Sequence, residues 1–183
     1  MATENIDYKV IQVFDDFEIR QYPPIVVAET EVEAKIEEAS EKGFAPLASY
    51  IFGANHKSTD KFENSPAQVD GKKMPMASPL NVQSHGSKRT IDFFLPDFKM
   101  AEEAPLPNDP QIHIKKIPER MVAAYTYSGV WSEEKYNTAR EKLLKAMDRE
   151  HIRPTSDPIW ARYNPPWWPW FIRRNEIWFE VDI

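Results

Sequence analysis

The residues best equipped for chemistry lie close together near the C-terminus. Tyr163 to Glu176 read YNPPWWPWFIRRNE, with three tryptophans and three prolines between Pro165 and Trp170 and an arginine pair just after. Proline forbids regular structure here, so Trp167, Trp168 and Trp170 cannot all point inward. Indole faces stack on flat conjugated rings, and the forks of Arg173 and Arg174 match carboxylates. The stretch is either a stacking surface with a cationic edge or a cap over one end of a sheet with solvated arginines.

The strand that follows alternates. Ile177, Phe179 and Val181 point one way; Glu176, Trp178 and Glu180 point the other. The apolar set belongs beneath a helical layer, which leaves Glu176 and Trp178 facing a groove or solvent. A carboxylate beside tryptophan in a concave site has a raised pKa and can act as acid or base, with Tyr125 or Tyr127 as a second groove group. The competing expectation is a structural pair between Glu176 and Arg162 or Arg173 across a hairpin. The four histidines, His56, His85, His113 and His151, are scattered. None has the spacing of a zinc site. There is no Ser-His-Asp order and no nucleophile elbow, and five glycines are too few for a phosphate-binding loop.

These side chains need a frame. The chain has 183 residues, enough for one domain with its own core. Cysteine is absent, which excludes disulfides and thiolate ligands. The net charge of −6 and the lack of a basic stripe argue against nucleic acid as a partner. The N-terminus MATENIDYKV has no signal-peptide pattern, and no apolar run is long enough to span a membrane. The expected location is the cytoplasm.

Helical spacing predicts one helix over Val32–Gly53, with a kink or break at Gly43 and Pro46. A second helix is predicted over Ser132–Glu150, capped by Ser132, with Tyr136, Ala139, Leu143 and Met147 as its buried stripe. Strands are predicted at Asp7–Val13, Phe17–Tyr22, Ile25–Val32, Met76–Val82, Thr90–Leu95, Gln111–Ile117, Met121–Ser128, Pro158–Tyr163 and Glu176–Val181. Polar Ala54–Lys73 reads as a long surface loop, and Asp97–Pro110 as a proline-rich linker. The order is strand-strand-helix-strand-strand, twice. Such a repeat predicts an α+β fold: two pseudo-two-fold halves, approximately 7–96 and 111–183, sharing one antiparallel sheet with both helices on one layer. The other face curves into a groove or closes toward a barrel.

Several stretches then carry a resemblance in their order and spacing: FEIRQYPP at Phe17–Pro24, GFAPLASYIFGAN at Gly43–Asn55, MASPL at Met76–Leu80, FFLP at Phe93–Pro96, SGVWSE at Ser128–Glu133 and ARYNPPWWPWFIRRNEIWFEV at Ala161–Val181. From about Tyr8 to Val181 the chain resembles the SOUL/haem-binding protein family, and through it the GyrI-like effector-binding superfamily. The resemblance implies a distorted antiparallel β-barrel in a single domain, and non-covalent binding of haem, another tetrapyrrole or a hydrophobic small molecule. The ligand contacts are then expected from Trp167, Trp168, Trp170, Trp178, Arg173 and Arg174, for the stacking and charge read above, and from Glu176, because the resemblance to the wider superfamily implies a glutamate on the last strand that reads the ligand or acts on it. Some animal members have a histidine where Gln21 stands, so that ligand role has no residue to land on. A single axial histidine suffices for haem iron, and His56, after the first helix, is the candidate. The leading expectation is a protein that carries or buffers haem rather than an enzyme. A hydrolase-like enzyme using Glu176 with Tyr125 or Tyr127, and a protein-interaction module docking through its tryptophans, are the alternatives.

Overall fold

The structure, a computed structural model, describes residues 4–56, 71–164 and 168–183. Trp167 and most of the predicted Ala54–Lys73 loop lie outside the described residues. In chain order the strands are β1 (Glu4–Asn5), β2 (Lys9–Val13), β3 (Glu18–Tyr22), β4 (Ile25–Glu33), β5 (Asn55–His56), β6 (Ala77–Ser78), β7 (Leu80–His85), β8 (Lys88–Phe94), β9 (Leu106–Pro107), β10 (Ile112–Ile117), β11 (Arg120–Ser128), β12 (Ile159–Arg162) and β13 (Arg174–Glu180). The helices are α1 (Ile36–Ile51) and α2 (Glu133–Arg149).

Nine strands form one curled antiparallel sheet, ordered β10-β4-β8-β7-β12-β13-β11-β3-β2. With β2 set aside, the order is the same from either end: β10-β4-β8-β7 mirrors β3-β11-β13-β12. The pseudo-two-fold passes between β7 and β12, which pair antiparallel. Each repeat lends its first strand to the other half: β3 pairs with β11 and β10 with β4. This exchange ties the halves into one sheet, as the repeated element order requires.

Both helices lie on the same side. Ser132 caps α2, its Oγ accepting from the Lys135 N–H at 3.3 Å. Tyr136, Ala139, Leu143 and Met147 are buried along one stripe. α1 runs unbroken through Pro46, so the break expected at Gly43 and Pro46 is absent. Gly43 serves instead as a point of close approach. A Cβ there would lie 2.8 Å from Ile91 Cγ1, so glycine lets α1 press onto β8. Asn55 holds the chain beyond α1: its Nδ2 donates to Tyr50 O at 2.7 Å, and its Oδ1 accepts from the Lys72 N–H at 2.9 Å.

The sheet has a core on each face. Ile177, Phe179 and Val181 pack beneath the helices with Leu47, Leu143 and Met147, as the alternation requires. The opposite face was expected to be a groove or solvent-exposed. It is filled: Tyr22, Val27, Phe94, Val122 and Trp178 form a second core, covered by Ile6 and Tyr8. The N-terminal segment reaches this face because β1 pairs parallel with β6 and the Ile6 N–H donates to Ser78 O at 3.1 Å. Burying about 25 cal/mol per Å² of apolar surface favours that closure over an open trough.

Candidate functional site

Strand alternation divides the candidate residues between two places. Arg174, Glu176 and Trp178 face the second core, whereas Tyr125, Tyr127 and Asn175 face the helices. No single ligand contacts both sets through the sheet.

Glu176 is completely buried. Its Oε2 accepts from Arg20 Nη1 at 2.8 Å, Trp178 Nε1 at 2.6 Å and the Tyr163 hydroxyl at 3.1 Å. Its Oε1 accepts from Thr126 Oγ1 at 3.0 Å and from Arg174 Nε and Nη2 at 2.9 and 2.6 Å. Arg20 also pairs with Glu18 at 2.8 Å. The two guanidiniums rest on aromatic faces, Arg20 on Tyr8 and Arg174 on Tyr163, at 4.4 and 4.1 Å from the ring centroids. Burial alone would push the Glu176 carboxyl up, but Arg20 and Arg174 outweigh it and hold the pKa below the usual glutamate value. The raised pKa expected from sequence is therefore corrected. So are the expected partners: Arg173 precedes Arg174 and points to the other face, and Arg162 lies opposite Asn175, one residue out of phase. A carboxylate saturated by donors and kept ionised has no lone pair ready to take a proton, so this cluster is built for stability.

On the helix face, a crevice of about 430 Å³ opens between β11 and α2. Tyr125 and Tyr127 stack at 6.4 Å to form one wall; Val130 and Ala139 add apolar lining, and Lys135 and Lys142 line it together with the acidic Glu134. The volume suits a small ligand. The aromatic turn lies beside it, because Trp170–Ile172 pack against the end of β11. Arg173 fastens that turn: its Nε donates to Trp168 O at 2.8 Å, and its guanidinium lies 4.9 Å from the Trp131 ring centroid. Trp168 and Trp170 are 43% and 56% exposed and stand outside the crevice lining. Tyr127 is itself shifted, its hydroxyl pushed up by burial. A second hollow of about 580 Å³ near Pro118, Glu119 and Asp182 has no aromatic wall.

His56 is remote from this crevice. Its Nδ1 lies 2.8 Å from Asn108 Oδ1, beyond the C-terminal end of α1. Arg162, beneath Trp131, touches the first turn of α1. At 1.5 Å per residue the helix separates these ends by roughly 20 Å, so His56 and the tryptophan turn do not meet on one ligand. No group of three or more His, Asp or Glu side chains fit to hold a metal occurs among the described residues. Sequence reasoning missed Arg20, Trp131 and Trp160. Arg20 reaches Glu176 across 156 positions, with no local pattern to announce it.

A family model described as SOUL heme-binding protein matches residues 3–180. The chain belongs to the SOUL haem-binding protein family. No match was found among curated proteins. Solved structures share the fold at low identity. The EcmrR C-terminal domain is 13% identical, with a TM-score of 0.61 over 96% of this chain and 98% of that one. A hydrolase from Listeria innocua is 10% identical, with a TM-score of 0.63 over 94% of each chain. EcmrR in a DNA complex is 14% identical, with a TM-score of 0.62 over 90% of this chain and 56% of that one. Among the described residues, no helix is long and apolar enough to cross a membrane.

Proposed function

We propose that this SOUL-family protein binds haem or another tetrapyrrole in the crevice between β11 and α2, and carries or buffers it. The observation behind this reading is the crevice itself: a stacked pair of tyrosines faces lysine ammoniums in a space of about 430 Å³. The residues fit the group. Tyr125 and Tyr127 offer an aromatic wall to the ring, Trp168 and Trp170 extend it at the rim, and Lys135, Lys142 and Arg173 suit propionates. Among the described residues, no histidine lines the crevice. A tyrosine oxygen can hold haem iron, but burial keeps the Tyr127 hydroxyl protonated, so packing and charge carry the affinity. When bound, haem would bring its redox and gas-binding chemistry; the chain supplies the cradle. The proposed partner is a small molecule, and the proposed place of action is the cytoplasm.

Haemin titration followed by absorption spectroscopy tests the proposal. Saturable one-to-one binding without the sharp bands of a strong axial ligand is expected. Trp168→Ala with Trp170→Ala should weaken haemin by roughly tenfold, since two aromatic contacts at about 0.5–1.5 kcal/mol each amount to about one decade. Both side chains are largely exposed, so the melting temperature should hold. Unchanged affinity together with a large loss of stability would make the turn a structural plug.

A further inference from the structure

Buried guanidiniums are normally paired with carboxylates, because an uncompensated internal charge is costly. Arg162 breaks this pattern. It is 3% exposed, yet none of the ion pairs among the described residues includes it. Its Nη2 makes only long contacts, 3.4 and 3.5 Å, to Ile36 O and Glu37 O. Those carbonyls begin α1 and already serve its backbone ladder. The nearby Glu37 carboxylate accepts from the Glu133 N–H at 3.1 Å and acts on Arg162 through its charge but forms no salt bridge with it. Arg162 Nε has no partner.

The surroundings supply more donors than acceptors. The Arg162 guanidinium packs on two indoles, 3.7 Å from the Trp160 centroid and 4.4 Å from that of Trp131. The buried Trp160 Nε1 lies beside the buried Tyr127 hydroxyl, and among the described residues neither has a hydrogen-bond partner beyond the other. Arg173 adds a second cation beyond Trp131. Tyr127 belongs to the wall of the β11–α2 crevice and links it to the cluster; Arg162, Trp160 and Trp131 stand outside the lining. With indoles over the guanidinium, its in-plane N–H groups are what it can offer an anion, which is the geometry a carboxylate prefers.

We propose that Arg162, with Trp160 Nε1 and the Tyr127 hydroxyl, is the receptor for the carboxylate of a flat aromatic acid bound in the crevice. A porphyrin propionate is one such group. This deepens the function proposed above and rests on the crevice being the ligand site. Burial and the neighbouring Arg173 lower the Arg162 pKa to about 9, a strain that an arriving anion relieves.

The test uses 1-pyrenebutyrate and its methyl ester, titrated by fluorescence into the full chain, with haemin in parallel. Wild type should bind the acid at least roughly tenfold more tightly than the ester, one decade being about 1.4 kcal/mol. Arg162→Met should weaken the acid by that factor, leave the ester unchanged and melt no lower than wild type without ligand, since the buried cation it removes is in no salt bridge. Tyr127→Phe should reduce the acid's advantage several-fold without altering the fold. An acid-to-ester ratio unchanged in Arg162→Met, a ligand-free loss of stability in that variant, or no saturable binding of the acid to wild type each overturns the proposal. Pyrenebutyrate discrimination without haemin binding would sink the tetrapyrrole reading and leave this one standing. Haemin binding indifferent to Arg162 would do the reverse.

Discussion

Glu176→Gln probes the largest concentration of buried charge. In the wild type, Glu176 and Glu18 balance Arg20 and Arg174. The substitution removes one negative charge and places an amide N–H where a guanidinium N–H already points. Breaking a buried ion pair from one side costs about 3–5 kcal/mol. Arg20 is only 4% exposed at its side chain, but Arg174 is 37% exposed and can turn toward water, which favours the lower end, about 3 kcal/mol. For a chain of this size that corresponds to a fall in melting temperature of about 6–12 °C. The pH dependence has a definite sign. The folded-state pKa of Glu176 lies below the unfolded value, so its stabilisation is fully present above about pH 4.3 and is lost as the pH falls through the lower folded value. Urea unfolding at pH 7 and at pH 3.5 checks both points. The gap between wild type and variant should be wide at pH 7 and narrower in acid. A gap below about 1 kcal/mol at pH 7, or one that does not shrink with acid, refutes the reasoning.

Two further outcomes follow from the packing. Burial raises Asp92 to about 7, with Glu29 adding to the shift and Lys115 opposing it. Its folded pKa lies above its unfolded one, so stability falls as pH rises through this window; Asp92→Asn should therefore gain about 1 kcal/mol or more at pH 8.5 and little at pH 4, measured by urea midpoints, and equal gains at both pH values would contradict the assignment. Gly43→Ala adds a methyl that meets Ile91 Cγ1 at 2.8 Å and Cβ at 3.1 Å; overpacking of about 1–3 kcal/mol should exceed the helix-propensity gain of about 1 kcal/mol, lowering the melting temperature, whereas a stabilised variant would show that α1 can lift from β8 at little cost.

Local periodicity carried most of the fold. The alternation of Ile177, Phe179 and Val181 identified the helix-facing side of β13, the Ser132 cap marked the start of α2, and the repeated element order contained the pseudo-two-fold. What escaped the sequence depends on contacts between distant parts of the chain. The second core needs Ile6 and Tyr8 from the N-terminus laid over Trp178 and Tyr22, and nothing in the local pattern of β13 reveals that cover. The Glu176 pKa was misjudged for the same reason: burial beside a tryptophan raises a carboxyl, but Arg20 arrives from β3 through strand exchange between the halves. That exchange also shows why the two arginines of the RRN motif act differently. They are adjacent in sequence but opposite in the sheet, so Arg174 is spent on the internal charge cluster while Arg173 remains with the aromatic turn and Trp131. The pleat thus sends the two side chains of a single dipeptide to opposite faces: neutralising Arg174 should cost stability, and at the proposed crevice site neutralising Arg173 should instead cost affinity for an acidic ligand, read by haemin titration.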